Sequence, residues 1–502
     1  MRHVLLAALT ALAVAGPATA PAQAAQKARP PVVMIVLDEF PLADIQAADG
    51  TIDRRRFPGF AALAAGSTWF PNAYAVHDST HFAVPAILTG RAPRAGADAP
   101  TYLTHPRSLF TYLDRLGYRI HSREEATTVC PPRLCPRADR YGNPHYNILH
   151  RRRERLDRTI DGLRRTRKPT LTFHHSVLPH VPWSYLPTGQ ARQGYREGTL
   201  PDFASPAGFG DEFLTLFNEQ RHLLQAGFAD AEVGRLVTRL KKTRQWKDAL
   251  VVVTADQAIS FQRGVSDRRQ VTADNVHEVA PVPLFVKRPG QTRGARSTAY
   301  VSGLDILPTV AGLLRRPLGW RSDGASVFGR AAQARRQVRM FRRDLSGLVT
   351  VPAAQMEARR ANDRLHRLSL FGNGRWSRVF RIGPNRRLLG RTAGHTASPA
   401  RGAPRARFAV PGNLRRVDPA GAEVPTFASG RLEGGSTEGG RDVALSVNGR
   451  VAAVGRSFHL AGDPTEWFAL NLPVSALRKG RNAMSLYAVE PDLRLTALGG
   501  VP

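Results

Sequence analysis

The chain reads as an α/β fold, a mostly parallel sheet flanked by helices, with a smaller β-rich domain at the C-terminal end. Three observations predict it. Uninterrupted apolar runs of strand length recur, helical patterns separate them, and the patterning changes after about residue 330. A length of 502 residues exceeds what one ordinary core organises, which fits two folded parts behind a leader.

The leader comes first. Arg2 and His3 give a short basic start, an apolar run extends from Val4 to about Gly16, and Ala22-Gln23-Ala24 resembles a small-residue cleavage site. Residues 1–25 are expected to be a signal peptide, since the run is shorter than the ~20 residues a membrane span needs. The protein is then expected outside the cytoplasm, secreted or held in the cell envelope.

Pro30-Pro31 opens onto Val32 to Leu37, a β-branched run that ends at Asp38 and reads as a strand buried on both faces. Comparable runs lie at Leu171 to Phe173, Ala249 to Thr254 and Val282 to Val286. Helical patterns occupy Phe57 to Ala65, Leu109 to Leu116, Asp211 to Lys242 and Leu304 to Leu314. This alternation assigns residues 26–330 to one α/β domain, and chemistry in such sheets gathers at the carboxyl ends of the strands, where Asp38 and Asp256 fall.

Residues 331–410 read as a basic helical segment (Ala353 to Leu370) and a Gly-, Pro- and Arg-rich linker near Arg391 to Pro411. Residues 411–502 alternate in short runs, and Asn448-Gly449 after Val443 to Val447 is a hairpin signal, so this part is expected to be a β-rich domain.

The formal net charge is +32, with arginine far in excess of lysine. Such a surface attracts polyanions: anionic envelope polymers, acidic glycans or phospholipid headgroups, with peripheral membrane contact. No nucleic-acid-binding module is recognisable, so no specific nucleic acid is expected as a partner. Arg151-Arg152-Arg153 and Arg164-Arg165 read as a solvated helix face. Cys130 and Cys135 are the only cysteines; in an exported chain this close pair is expected to form a small-loop disulfide.

Four segments carry candidate chemistry. Asp38-Glu39 at a strand end suits a hard divalent cation or a helix cap. Ser79-Thr80, just before a short helix ending Leu88-Thr89-Gly90, places a hydroxyl where a helix N-terminus stabilises negative charge, or caps that helix. His174, His175 and His180 follow a strand, and at least one is expected to face a site. Thr254-Ala255-Asp256-Gln257-Ala258 closes the most apolar strand.

In this order and spacing the segments resemble the sulfatase-like branch of the alkaline phosphatase superfamily over roughly residues 31–330. Asp305-Ile306-Leu307-Pro308-Thr309 resembles that family's D-x-x-P-T helix, and Asp323-Gly324-Ala325-Ser326 a further landmark. The resemblance implies an alkaline-phosphatase-like core holding one divalent ion (Mn²⁺, Mg²⁺ or Ca²⁺). It makes Asp38, Glu39, Asp256 and Gln257 the ligands and Thr80 the nucleophile. His180 then positions the substrate or protonates the leaving group, while His175, Arg263, Arg268 and the adjacent Arg269 contact its oxygens.

Two departures shape the expected function. Sulfatases carry Cys/Ser-x-Pro-x-Arg, whose first residue becomes formylglycine; here the segment is Thr80-His81-Phe82-Ala83-Val84. Threonine instead matches phosphodiesterases and lipoteichoic acid synthase-like phosphoglycerol transferases, so phosphate esters of envelope polymers or lipids are the expected substrates. A sulfuric-ester hydrolase is the alternative. Gln257-Ala258 replaces the His-Gly of many relatives, which keeps open a third reading, a catalytically silent envelope-binding protein.

Overall fold

The run ending at Asp38 becomes the centre of a seven-stranded sheet in the computed structural model, which describes residues 29–97, 99–136, 150–193, 210–262, 267–394, 402–409 and 414–501. The signal-peptide expectation and Arg263 lie outside these residues. In chain order the first nine strands are β1 (Val32–Asp38), β2 (Thr68–Trp69), β3 (Ala73–Tyr74), β4 (Arg119–Glu124), β5 (Thr170–Pro179), β6 (Ala191–Arg192), β7 (Leu250–Ala255), β8 (Leu284–Lys287) and β9 (Ala295–Arg296). The sheet runs β4-β5-β1-β7-β8-β2-β9. Strands β4, β5, β1 and β7 are parallel, while β8 runs antiparallel to both β7 and β2. The fold is therefore α/β with a mostly parallel sheet.

Helices α1 (Pro58–Ala64), α2 (Thr80–Thr89), α3 (Leu109–Arg115), α4 (Arg152–Asp161) and α5 (Glu212–Lys242) pack around it. Helix α5 begins at Asp211, whose carboxylate accepts the Leu214 N–H at 2.8 Å. It is buried over most of its circumference because one side covers the sheet and the other meets the C-terminal β-structure. There Phe217 stacks on Phe427 with centroids 5.8 Å apart, and Gln220 accepts a 2.6 Å bond from Asn471.

The C-terminal part holds an antiparallel three-stranded sheet (Arg405–Phe408, Phe427–Glu433, Trp467–Asn471). A four-stranded sheet adds Asp442–Val447, Arg450–Arg456, Met484–Val489 and Leu495–Val501. Asn448 and Gly449 both have positive φ, as a two-residue hairpin turn requires. Between the two parts, a hairpin (Gln337–Phe341, Leu348–Pro352) leads into the helix Ala353–Phe371. Among the described residues no helix is long and apolar enough to cross a membrane.

Two local readings need correction. Strand β5 continues past Phe173 to Pro179, so His174, His175 and Ser176 lie inside the sheet; β1 hydrogen-bonds along this polar stretch and keeps it extended. The arginine run at α4 is not a solvated face throughout. Arg152 is buried and donates to the carbonyls of His180 (2.8 Å) and Pro182 (2.5 Å) and to Ser184 Oγ (3.0 Å). Burial is tolerated because carbonyls replace the water around the guanidinium.

Candidate active site

Three strand ends meet at one point. Asp38 closes β1 and Asp256 follows β7, whose Asp256 N–H bonds the Leu37 carbonyl at 3.0 Å; His175 lies near the end of β5. Register slips at a bulge between Leu37 and Asp38, so Asp38 pairs with Pro179 rather than continuing the ladder. One ligand atom each from Asp38, His175 and Asp256 lies within 4.8 Å of the others. That spacing lets all three touch one cation at about 2.0–2.4 Å.

The test of fit lies in unpaired atoms. Asp38 Oδ1, Asp256 Oδ2, Gln257 Oε1 and both ring nitrogens of His175 are buried with no hydrogen-bond partner. Buried polar atoms are otherwise nearly always paired, and here they converge. Burial, then the charges of Asp256 and Glu39, pushes Asp38 well above its ordinary carboxylate value. Burial raises Asp256 to about 7, opposed by hydrogen bonds from Thr80, Gln257 and the Glu39 backbone. Burial also holds His175 neutral, at about 3. Two carboxylates that resist ionisation beside a neutral imidazole form a set that a divalent cation would satisfy.

Glu39 takes another role from the one expected of it. Its φ of 59° is the left-handed region, uncommon outside glycine and asparagine, and it turns successive side chains apart. The turn is held by His222 Nε2 on the Glu39 carbonyl (2.9 Å) and by the Phe40 N–H on the Gln257 carbonyl (3.0 Å). Asp38 enters the cluster, whereas the Glu39 carboxylate meets Arg268 (2.8 and 3.2 Å), His180 Nε2 (3.4 Å) and Arg269 (3.7 Å). Burial would raise its pKa, but Arg268, His180 and Arg269 outweigh that and hold it at about 2. In this structure Glu39 is paired with the arginines and stands outside the metal-ligating group.

Thr80 opens α2, after Ser79 in the extended N-cap conformation. Its hydroxyl accepts from Gln257 Nε2 at 3.3 Å, which leaves Gln257 Oε1 free on the cluster side. His180 donates from Nδ1 to the Val181 carbonyl (2.7 Å), so its Nε2 carries the lone pair facing Arg268 at 3.4 Å. Burial lowers His180 to about 4, which makes it an acceptor at neutral pH rather than the acid expected for a leaving group. His175, expected to contact substrate, falls instead in the group that could hold a metal ion.

Two residues escaped the sequence reading. Asp78 takes the Val271 N–H at 2.8 Å and Arg343 Nε at 3.2 Å; Arg343 also pairs with Asp267, which caps the Arg269 N–H at 2.9 Å. Arg343, from beyond the main domain, thereby joins the Thr80 loop to the arginine loop. Asp78 adjoins Ser79-Thr80, a signal that was available; nothing local marks Arg343.

The sulfatase family model matches residues 30–315, more than half of the chain. The protein belongs to the sulfatase family. Members of that family are metal-dependent hydrolases, and the buried Asp38–His175–Asp256 group of this sulfatase-family chain fits that dependence. Solved structures similar to it include one in complex with its substrate D-glucosamine-2-N,6-O-disulfate (15% identity, 62% of this chain and 83% of that one, TM-score 0.48). Another is a phosphonate monoester hydrolase of Agrobacterium radiobacter (18% identity, 62% and 80%, TM-score 0.46). A third is a phosphonate monoester hydrolase from Silicibacter pomeroyi (18% identity, 62% and 79%, TM-score 0.45). No curated protein matches the sequence.

Proposed function

We propose that the protein hydrolyses, or transfers, phosphate esters through Thr80 as a covalent nucleophile, with envelope polymers or lipids as substrates. The observation that carries this reading is the Thr80 hydroxyl, bonded to Gln257 at the edge of the Asp38–His175–Asp256 group. Oxidation of a threonine would give a ketone, not the aldehyde from which formylglycine chemistry starts, so the hydroxyl itself is the reacting group.

Asp38, His175, Asp256 and the Gln257 carbonyl oxygen would hold one divalent cation; a ligand set with an imidazole suits Mn²⁺ better than Ca²⁺. When bound, such a cation lowers the pKa of a neighbouring hydroxyl and polarises the ester oxygen. The chain's own groups do the rest. Thr80 gives its hydroxyl proton to solvent water and attacks phosphorus in line, forming its Oγ–P bond as the leaving-group oxygen departs with its electron pair and takes a proton from water. Arg268 and Arg269 face the same space and offer N–H donors to the non-reacting oxygens, with Glu39 fixing both. Neutral His180 orients Arg268. Water or an acceptor hydroxyl then displaces Thr80 and releases or transfers the phosphoryl group.

The apolar leader and the charge of +32 support an extracytoplasmic, anionic substrate. The test compares the Mn²⁺-loaded protein on bis-p-nitrophenyl phosphate and on p-nitrophenyl sulfate, with tryptic mass spectrometry of the acid-quenched enzyme. Phosphate on Thr80 with faster phosphodiester cleavage is the expected result. Faster sulfate cleavage would transfer the assignment to sulfuric esters, the reading favoured by the family match. No turnover and no retained metal would leave an envelope-binding protein.

A further inference from the structure

A second cationic site lies where the helix Ala353–Phe371 ends. A surface cavity of about 730 Å³ is lined, among the described residues, by five arginines, Arg55, Arg375, Arg378, Arg381 and Arg386, and by no carboxylate. All five are exposed, and among the described residues none makes an ion pair. It shares no lining residue with the Asp38–His175–Asp256 group.

The loop beneath explains why the wall is one-sided. Gly372 and Gly374 have φ of 62° and 75°, and the chain folds back over buried Arg56. The Arg56 guanidinium takes the carbonyls of Gly372 (2.8 Å), Phe371 (3.1 Å) and Arg375 (3.4 Å). Those acceptors therefore turn inward, away from the cavity, and Arg56 brings a sixth positive charge below its floor.

Asp53 lines a smaller neighbouring cavity of about 300 Å³ with Arg55, Arg375 and Arg378, and its single negative charge offsets only part of the set. Its Oδ1 is taken by the N–H groups of Arg55 and Arg56, and its Oδ2 by that of Gly374. What remains is a concentration of guanidinium donors with an excess of positive charge, an arrangement that an external anion completes.

We propose that this cavity is an anchoring site for a linear polyanion, binding consecutive phosphate or sulfate groups of one chain. Two guanidiniums match one tetrahedral oxyanion bidentately, so five arginines call for more than one such group. The volume lies within the roughly 300–1,000 Å³ of small-ligand sites and exceeds the needs of a single ion. A concavity of this volume fits a segment of polymer laid along it more closely than it fits a flat membrane surface. The site stands whether or not Thr80 chemistry does.

The experiment is calorimetric titration of the full chain with inorganic tripolyphosphate and with orthophosphate at low and moderate salt. Tripolyphosphate is expected to bind, more weakly as salt rises. Arg378→Glu/Arg381→Glu should weaken it tenfold or more, Arg378→Gln/Arg381→Gln by less, and Arg268→Ala should leave it unchanged; circular dichroism monitors folding, and the Gln pair serves if the Glu pair misfolds. Equal binding by the wild type and a folded double variant would overturn the proposal. So would loss of binding in Arg268→Ala, which would put the anion in the active site. Orthophosphate binding as tightly as tripolyphosphate would reduce the site to an adventitious ion only. Capture by phosphatidylglycerol vesicles without tripolyphosphate binding would replace the polymer with a membrane.

Discussion

His174 and His175 are consecutive on β5 and equally buried, yet they belong to opposite kinds of environment. On one face, His174 Nε2 meets Glu125 at 2.8 Å and Nδ1 meets the Thr159 hydroxyl at 2.7 Å. Glu125 also receives Arg155 (2.7 and 3.0 Å) and the Val177 N–H (3.1 Å). On the other face His175 has no hydrogen-bond partner, and neither do Asp38 Oδ1 and Asp256 Oδ2 beside it. A saturated buried network stabilises a fold, whereas an unsaturated one of convergent lone pairs is a place kept for a ligand. The contrast can be attacked from either side.

The largest expected effect is on the unsaturated face. Thr80→Ala removes the hydroxyl's bonds to Gln257 and Asp256 and leaves Ser79 as the α2 N-cap, so the fold should persist by circular dichroism. Phosphodiester turnover should fall about 10³-fold or more. Retained turnover would remove Thr80 from the reaction.

Next comes the saturated face. Glu125→Gln strips the carboxylate from buried Arg155 and should cost about 3 kcal/mol in urea unfolding. Burial acts to raise Glu125, but His174 and Arg155 outweigh it and hold the carboxyl at about 2 against an ordinary 4.5. A depressed carboxylate pKa stabilises the fold fully above pH 4.5 and loses that contribution as pH falls toward 2. The gap between wild type and Glu125→Gln should therefore be widest near neutrality and narrow on acidification. A gap constant with pH would mean that Glu125 is not ionised in the folded protein.

A smaller effect belongs to the Cys130–Cys135 bond, which the structure contains with Cα atoms 6.1 Å apart. Its loop docks on Glu124 through the N–H groups of Val129 and Cys130, both at 2.8 Å, next to the Glu125 network. Reduction should lower stability by about 2 kcal/mol, as closure of so short a loop predicts, and leave metal affinity unchanged. The smallest change separates the two histidines directly. His175→Ala should reduce Mn²⁺ affinity tenfold or more by titration, yet shift unfolding in chelator by only about 1 kcal/mol. His174→Ala should do the reverse.

Much of the core was legible beforehand because it is local. Apolar runs, their termination at carboxylates and the 3.6-residue patterning of α5 are properties of short windows, and Asp38 and Asp256 follow from them. The opposite facing of His174 and His175 was not read, because the sequence pattern ended that strand at Phe173, and it follows only once β5 runs on to Pro179. The sequence could not say which face holds the site, since that depends on strand order and on the Leu37/Asp38 bulge. The pairing of Glu39 was hidden for the same reason. Adjacent carboxylates read as one ligand pair until a left-handed residue turns one of them toward Arg268 and Arg269.

By itself, then, the sequence determined the α/β class, the hydroxyl at the head of α2 and the strand-end acids, because each is encoded within a dozen residues. Only the tertiary structure decided which polar atoms stay unpaired. It brought His175 to the two aspartates, tied Arg343 from residue 343 back to Asp78, and emptied the arginine cavity of acids. Pairing is a property of space, set by contacts between segments hundreds of residues apart, and no local pattern carries it.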